Sequence, residues 1–349
     1  MLKKVDDFQK TSASTVDRLH GLDLVRGLCA ITVMLYHYFH VTKVGTFYSA
    51  GLYGVYMFFV LSGFSLYYVY GNHEITERGL RNFFVARFFR IAPLYVAVAT
   101  VKFVQMGASP ENAYRYLMNI SLLFGLGNAG ATSTVGGGWS IGIEVAFYLL
   151  FPFLLLFRSR GALAALFVVT LIMNHALADL TFDLSPDPNK HWSFYTQPLT
   201  FLCYFVGGML LAEIGVPKIG GSQLIAALAT VAAMVFMFTL PHLFGVSRED
   251  ILVSWEAKLM IAGSLFVVAA GASLHLAGVA EKIATFLGDI SYSLYLIHLL
   301  VLAEVSKFLP GIAAIPKIAI SAGISIVAAK IIHKYFEMKM RDLQWRYRT

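Results

Sequence analysis

Long apolar segments separated by short polar stretches are the dominant pattern along this chain. Ten such segments can be marked, each near the roughly 20 residues that a membrane-spanning helix needs. They lie at about 22–42, 50–70, 90–107, 139–157, 161–180, 196–214, 219–243, 254–277, 285–308 and 312–336. The pattern predicts an all-α fold, a polytopic membrane helical bundle of about ten transmembrane helices.

A shorter stretch, 112–126, contains Arg115 and Asn119, and its placement determines the topology. Lys and Arg concentrate in cytoplasmic loops. If 112–126 does not cross, seventeen Lys and Arg residues lie on the side of the N terminus and four on the other side. If it crosses, the basic C-terminal tail moves to the wrong side. We therefore expect ten spans, both termini in the cytoplasm, and 108–138 as an outer or re-entrant segment.

One domain accounts for most of the chain, since no linker or Pro- or Ser-rich spacer interrupts the apolar segments. We expect a cytoplasmic N-terminal tail over 1–21, a transmembrane domain over 22–341 and a cytoplasmic C-terminal tail over 342–349.

Composition supports a membrane protein, because 58% of the residues are hydrophobic and 13% are charged, with a mean hydropathy of +0.69. Soluble domains carry about 25% charged residues. The net charge of +7 follows membrane topology and does not indicate nucleic-acid binding. Membrane lipids are therefore expected partners. Cys29 and Cys203 stand alone in apolar segments and indicate neither a disulfide scaffold nor a metal site.

The first apolar segment carries ionisable side chains, among them Asp23, Arg26, His37 and His40. Such groups cost at least about 2.5 kcal/mol each near a bilayer centre and usually face a bundle interior or a cavity. Arg26 and His37 are eleven residues apart, which places them on one helix face about 16 Å from each other. An isolated buried histidine is more often a packing residue, but Arg26 on the same face favours a functional role.

Two arginines stand at i and i+3 in RNFFVARFFRIAPLY, residues 81–95. Arg87 and Arg90 share a helix face there and could bind a phosphate group together. The alternative is that they are ordinary positively charged anchors at a membrane surface. On this segmentation Pro93 falls in the first turn of its helix, where proline is tolerated.

Two further apolar segments contain polar groups that need partners. Glu144 lies in GGGWSIGIEVAFYLLFP, residues 136–152, and a buried carboxylate is expected to pair with an arginine or histidine of another helix. Ser291, Tyr295 and His298 share a face of the ninth segment. Interhelical hydrogen bonds would explain these residues too, although His298 adds a second deep imidazole.

Several well-known catalytic signatures are missing from the sequence. It contains no G-x-x-x-x-G-K-S/T, no G-x-S-x-G, no H-E-x-x-H and no paired C-x-x-C. Phosphate-cradle ATPases, nucleophile-elbow hydrolases and zinc proteases have no support.

Five blocks in order resemble the acyltransferase family 3 of integral membrane O-acyltransferases. They are Arg26 followed after ten residues by His37, FFVLSGF (58–64), RFFRIAPLY (87–95), WSIGIEVAFYLLFP (139–152) and SYSLYLIH (291–298). The resemblance covers about 19–341. It implies transfer of an acyl group, usually acetyl, from cytosolic acyl-CoA to a hydroxyl of a glycan or lipid-linked saccharide, as in exopolysaccharide O-acetylation. It also implies the plasma membrane, in bacteria the inner membrane, and acetyl-CoA as donor without a metal.

The resemblance also implies roles for individual residues. His37 matches an essential histidine, Arg26 its paired arginine, and Arg87 and Arg90 an arginine pair. We expect all three arginines to bind acyl-CoA, with Arg87 and Arg90 at its phosphorylated end and Arg26 where the pantetheine arm enters. Glu144 would assist catalysis by orienting His37 or by neutralising Arg26. The polar residues expected to contact substrate or to support the structure are Trp139, Ser291, Tyr292 and His298. The chain departs from the family where Val145 replaces a second acidic residue and where FEMKMR (336–341) lacks a proline.

Two alternatives to glycan acylation stay open on the sequence. The acceptor could be a small-molecule or secondary-metabolite hydroxyl. A chain of intramembrane His, Arg and Glu could instead serve a proton-coupled transporter. Within the enzyme interpretation, His37 could act as a general base or could carry the acyl group itself.

Overall fold

The computed structural model describes residues 17–45, 47–184, 192, 195–216, 222–246 and 255–347. Of the predicted tails, 1–21 and 342–349, residues 1–16 and 348–349 lie outside the described part. The helices are α1 His20–Val41, α2 Tyr48–Tyr70, α3 Glu77–Met106, α4 Pro110–Ile120, α5 Ala129–Thr132, α6 Trp139–Leu154, α7 Arg160–Leu184, α8 Pro198–Ile214, α9 Gln223–Leu243, α10 Trp255–Ala272, α11 Gly278–Phe308, α12 Ala314–Ile332 and α13 Met338–Gln344. A 3₁₀ turn spans Leu123–Leu126 and a π-helical turn spans His333–Glu337.

Seven of the described helices are long and apolar enough to cross a membrane: α1, α2, α3, α7, α9, α11, and α12 with its continuation to Gln344. Three shorter apolar helices, Trp139–Leu154, Pro198–Ile214 and Ala257–Ala272, accompany them. The protein is therefore a helical, multi-pass membrane protein. The total of ten spans and the cytoplasmic position of both termini stay predictions. The stretch 112–126 contains most of α4 and the 3₁₀ turn. Helix α4 has 11 residues, fewer than the roughly 17 residues of the shortest membrane spans.

The bundle centre consists of α1, α2, α8 and α11, with α11 packed along α1 and α8 packed along α2. Nearly every residue of α2 between Ser49 and Tyr67 is buried. The outer helices α7, α9 and α12 expose apolar side chains, including Ile172, Phe236 and Val327. Apolar exposed faces suit contact with lipid tails, so the interior is left for polar groups.

Helix α3 begins well before the predicted segment at about 90. The Thr76 hydroxyl accepts a hydrogen bond from the Gly79 amide, and Glu77 follows in the first turn, which together favour a helix start. The arginine-rich residues 81–90 are therefore helical, and Pro93 lies inside the helix. The prediction that Pro93 occupies a first turn was wrong, because a search for apolar segments does not detect a polar helical extension.

The crossing of α2 and α8 depends on two glycines. A Cβ atom on Gly63 would overlap the Phe205 carbonyl oxygen, and one on Gly208 would overlap the Val60 carbonyl oxygen. Small residues allow this close backbone approach between membrane helices.

Replacing Gly63 with alanine should lower the thermal unfolding midpoint of the detergent-solubilised protein, because the added methyl group meets a backbone atom that cannot rotate away. Overpacking of this kind costs about 1–3 kcal/mol. The control is Gly323→Ala on α12, where an added Cβ meets nothing within 4 Å. Equal midpoints for the two variants would contradict the proposed crossing.

Candidate functional site

A cavity of about 610 Å³ opens at the end of the bundle where α1 and α3 begin. We call this opening the basic mouth because arginines outnumber carboxylates in the cavity lining. Its five arginines are Arg18, Arg26, Arg87, Arg90 and Arg341, and its four carboxylates are Asp17, Asp23, Glu144 and Asp289. Apolar side chains, among them Phe58, Phe64 and Ile141, cover much of the remaining wall. Its volume lies in the 300–1,000 Å³ range typical of small-molecule sites.

The two arginines of α3 reach the same cavity with different partners. The Arg87 guanidinium lies 5.6 Å from the centre of the Tyr148 ring, and its buried Nε has no hydrogen-bond partner in the described part of the chain. Arg90 forms an ion pair with Glu337 at 3.3 Å and lies 5.3 Å from the Tyr292 ring. An unsatisfied buried N–H is costly. A hydrogen bond from Arg87 to an anionic ligand would therefore relieve a cost that Arg90, paired with Glu337, does not carry.

A chain of ion pairs surrounds Arg26. Asp23 lies 3.3 Å from Arg26 and 2.6 Å from Arg18, and Arg18 also contacts Asp289 on α11 at 2.9 Å. The second terminal nitrogen of Arg26 donates to the Ser65 hydroxyl at 3.3 Å. Partial burial opposes the charge of Arg18, but the hydrogen bonds to the two aspartates outweigh it and raise the pKa of Arg18. These contacts keep the charges beside the basic mouth paired.

Glu144 lies in the cavity wall and accepts hydrogen bonds from the Tyr148 hydroxyl and, at 3.2 Å, from the Ser62 hydroxyl. It makes no hydrogen bond to His37. The hydrogen bonds of Glu144 go to α2 and to its own helix, so the hypothesis that it orients His37 gains no support from these contacts and stays a prediction. Its position in the same cavity as Arg26 is compatible with charge compensation.

The two deep histidines meet between α1 and α11. His37 Nδ1 lies 3.1 Å from His298 Nε2, and the ring centres are 5.0 Å apart. His37 Nδ1 is also 2.9 Å from the Val33 carbonyl oxygen. His298 is fully buried. We call these two residues the histidine pair.

The histidine pair lies next to the cavity but does not line it. The cavity is lined at its inner end by Tyr295 and Ser140, and neither histidine is among its lining residues. The Tyr295 hydroxyl lies 2.7 Å from Ser140 Oγ and donates to the Gly137 carbonyl oxygen at 2.8 Å. Gly137 has a φ of +75°, a conformation that favours glycine. The Tyr295 and His298 rings are 6.2 Å apart, so a residue that lines the cavity is a direct neighbour of the histidine pair.

The other polar residues singled out in the sequence divide into two groups. Ser291 and Tyr292 line the cavity, and their hydroxyls donate to the carbonyl oxygens of Gly288 and Ile91. Trp139 does not line it. Its ring packs edge-on against Trp192 and Phe59, with centres 5.2 Å and 6.4 Å away.

The structure adds residues that sequence reasoning did not propose for the site. Glu337, in the π-helical turn, accepts a hydrogen bond from Ser293 and lies within 3.4 Å of both Arg90 and His333. In sequence, FEMKMR was notable only for lacking a proline. The π-helical turn is known from the structure, and such turns are frequent at functional sites. Tyr148 stands four residues after Glu144, a spacing that predicts contact on a helix. Within the described residues, no group of three or more His, Cys, Asp or Glu could hold a metal ion.

Fold and site together define a multi-pass helical membrane protein with a cavity suited to an anionic ligand and a histidine pair beyond its inner end. A family model described as an acyltransferase domain, of the acyltransferase-3 type, matches residues 19–334. The chain belongs to this family.

Its curated relatives include O-acetyltransferases. OatA of Staphylococcus aureus, named an O-acetyltransferase, is 25% identical over 349 residues, which cover 93% of this chain and 57% of OatA. The chain thus spans a little over half the length of that relative. The exopolysaccharide production protein ExoZ of Rhizobium meliloti is 27% identical, with 78% of this chain and 83% of ExoZ covered. A putative acetyltransferase of Acidianus two-tailed virus is 23% identical over 83% of this chain and 86% of that protein. No solved structure matches the chain.

Changing Asp23 to asparagine should destabilise the protein, because Arg18 and Arg26 would then lack their shared counter-charge. The Asp23 side chain is 7% exposed and that of Arg18 is 47% exposed. We expect a loss of about 2–3 kcal/mol, below the roughly 3–5 kcal/mol for fully buried pairs.

The matched control is Glu111→Gln, which breaks the exposed pair with Arg115 on α4 and should cost less than about 0.5 kcal/mol. Thermal unfolding in detergent at low and high salt measures both. A variant of Asp23 as stable as the control would contradict the proposed role of the ion-pair chain.

Proposed function

We propose that the protein is a membrane O-acetyltransferase that moves an acetyl group from cytosolic acetyl-CoA to a hydroxyl of a cell-envelope or exported glycan. The observation that carries this proposal is Arg87, which lines the cavity at the basic mouth and whose buried Nε has no hydrogen-bond partner in the described part of the chain. The names of OatA and ExoZ, an O-acetyltransferase and an exopolysaccharide production protein, support the reaction and the acceptor class. We place the protein in the plasma membrane with the basic mouth facing the cytosol.

The basic mouth suits the phosphorylated end of coenzyme A. Arg87 supplies a free N–H for a phosphate oxygen, and Arg90 can exchange Glu337 for a second one. Planar guanidinium groups bind phosphates in a bidentate manner. The apolar wall beyond the arginines suits the pantetheine arm, which places the thioester near the inner end of the cavity.

The thioester would then lie near Tyr295, the cavity residue that neighbours His298 of the histidine pair. We infer that the Tyr295 side chain moves for transfer, since it lines the cavity, contacts Ser140 and neighbours His298, whereas neither histidine lines the cavity. His37 then acts either as general base on the acceptor hydroxyl or as a nucleophile that carries the acetyl group. Both routes end with the acetyl ester of the acceptor and free coenzyme A.

Acceptor access from the opposite side follows from helix geometry. His37 is 17 residues beyond the start of α1 at His20, which corresponds to about 26 Å along the axis. The hydrocarbon core is about 30 Å thick. His37 therefore lies closer to the membrane surface opposite the basic mouth, where an exported glycan would arrive.

Purified protein in nanodiscs, supplied with acetyl-CoA and a polysaccharide acceptor, should release free thiol. His37→Ala should abolish the release while the protein stays folded, because no other described imidazole takes its place beside His298. Thiol release that persists in His37→Ala would overturn the proposed mechanism. Flux of a solute without any thiol release would instead favour a transporter.

Arg87→Ala should raise the KM for acetyl-CoA by about 10- to 100-fold with little change in kcat, because a hydrogen bond to a charged group contributes about 1.5–3 kcal/mol. Arg87→Lys should give an intermediate KM, since lysine keeps the charge but not the bidentate geometry. The control is Arg115→Ala, an arginine paired on the surface with Glu111. A KM for Arg87→Ala equal to that of the control would remove Arg87 from the donor site.

A further inference from the structure

We propose that His298 is a positioning residue that holds His37 in the tautomer with a bare Nε2. The catalytic role of His37 rests on the proposed function, whereas the hydrogen bond between His37 Nδ1 and His298 Nε2 does not. The sequence predicted only that His298 contacts substrate or supports the structure, and His298 does not line the cavity.

A backbone carbonyl group of α11 determines which ring nitrogen of His298 carries the proton. His298 Nδ1 lies 3.1 Å from the Leu294 carbonyl oxygen. A carbonyl oxygen can only accept a hydrogen bond, so Nδ1 of His298 carries the proton in this contact. A neutral imidazole with a proton on Nδ1 has a lone pair on Nε2, which makes His298 Nε2 an acceptor.

That acceptor acts on His37 together with the Val33 carbonyl oxygen of α1. His298 Nε2 is 3.1 Å from His37 Nδ1, and the Val33 carbonyl oxygen is 2.9 Å from the same nitrogen. Both neighbours accept, so His37 Nδ1 carries the proton and donates to them. The lone pair of His37 is then on Nε2, as a general base or a nucleophile requires.

The backbone around the pair is held by Tyr38. Its hydroxyl donates to the His298 carbonyl oxygen at 2.9 Å and lies 2.7 Å from the Ser325 hydroxyl of α12. Tyr38 follows His37 directly in α1 and is fully buried. This contact ties α1 to the residue of α11 that carries the second imidazole, so the two rings keep their separation.

The proton and bond changes balance in this arrangement when His37 acts as a base. The acceptor O–H bond breaks as its proton moves to His37 Nε2, and the oxygen forms a bond to the acyl carbon. The C–S bond breaks, and the proton passes from Nε2 to the thiolate sulfur. His37 Nδ1–H keeps its bond to His298 Nε2 throughout, so the transient imidazolium has an uncharged acceptor beside it.

Two variants separate positioning from packing. His298→Phe keeps a ring but removes the acceptor, whereas His298→Gln can place an amide oxygen near the position of Nε2. We expect His298→Phe to lower kcat by about 10- to 100-fold, the loss typical when the partner that orients a functional histidine is removed, with the KM for acetyl-CoA unchanged. His298→Gln should recover at least part of that kcat. His175→Phe on α7, an exposed histidine paired with Asp179, is the matched control.

A second measurement requires no activity. ¹⁵N NMR of histidine-labelled wild-type protein in lipid should show His37 with Nδ1 protonated and Nε2 bare, and a ¹⁵N–¹⁵N correlation across the N–H···N bond to His298. A His37 protonated on Nε2, or a missing correlation, would overturn the proposal even if the enzyme proved inactive. Conversely, wild-type kcat in His298→Phe, with thiol release intact, would overturn the role of His298 and leave the proposed function standing.

Discussion

Charge pairing inside an apolar bundle is the constraint on which the rest of this structure depends. Arg26 lies in α1 at the bundle centre, and Asp23, Arg18 and Asp289 form a chain of ion pairs around it. The pairing needs α1 and α11 to touch, and glycines allow it. Gly27 packs against Leu287, and Gly288 packs against Asp23, with no space for a Cβ at either glycine. The ion pairs therefore fix the contact between α1 and α11 at the basic mouth.

The same two helices carry His37 and His298 further into the bundle. A contact fixed by charge at one end thus brings together two imidazoles at the other, and the hydroxyl of Tyr38 secures the arrangement there. The charged groups lie at the mouth, where an anionic donor would bind, whereas the deep site consists of histidine and tyrosine side chains joined by hydrogen bonds. This separation keeps the charged groups away from the membrane interior, where charge is costly, and it suits the acetyl transfer that we propose.

Sequence reasoning predicted most of the architecture, because a spanning helix needs a long apolar run and such runs are visible directly. It missed the start of α3, where helix-forming residues are polar and an N-cap at Thr76 replaces hydrophobicity as the signal. The expectation that 112–126 does not cross the membrane rests on the positions of basic residues and stays a prediction, although the helix α4 in this stretch has only 11 residues.

The site was less predictable because its contacts join residues far apart in sequence. Arg87 and Arg90 look equivalent in RFFR, yet Arg90 faces Glu337 and Arg87 does not. Glu144 was expected either to orient His37 or to neutralise Arg26. Neighbours in space depend on which helices are adjacent, and α6 brings this carboxylate to Ser62 in the cavity that Arg26 also lines. His37 and His298 are 261 residues apart, and their contact follows only from the packing of α11 along α1.

The most direct test of the account is acetyl transfer across a sealed membrane. Protein reconstituted in one orientation in proteoliposomes receives radiolabelled acetyl-CoA on the side of the basic mouth and a polysaccharide acceptor on the opposite side. We predict label in the polysaccharide only in this arrangement, with none when both reactants are confined to the side opposite the basic mouth. Labelling that requires the donor on the side away from the arginines would contradict the account.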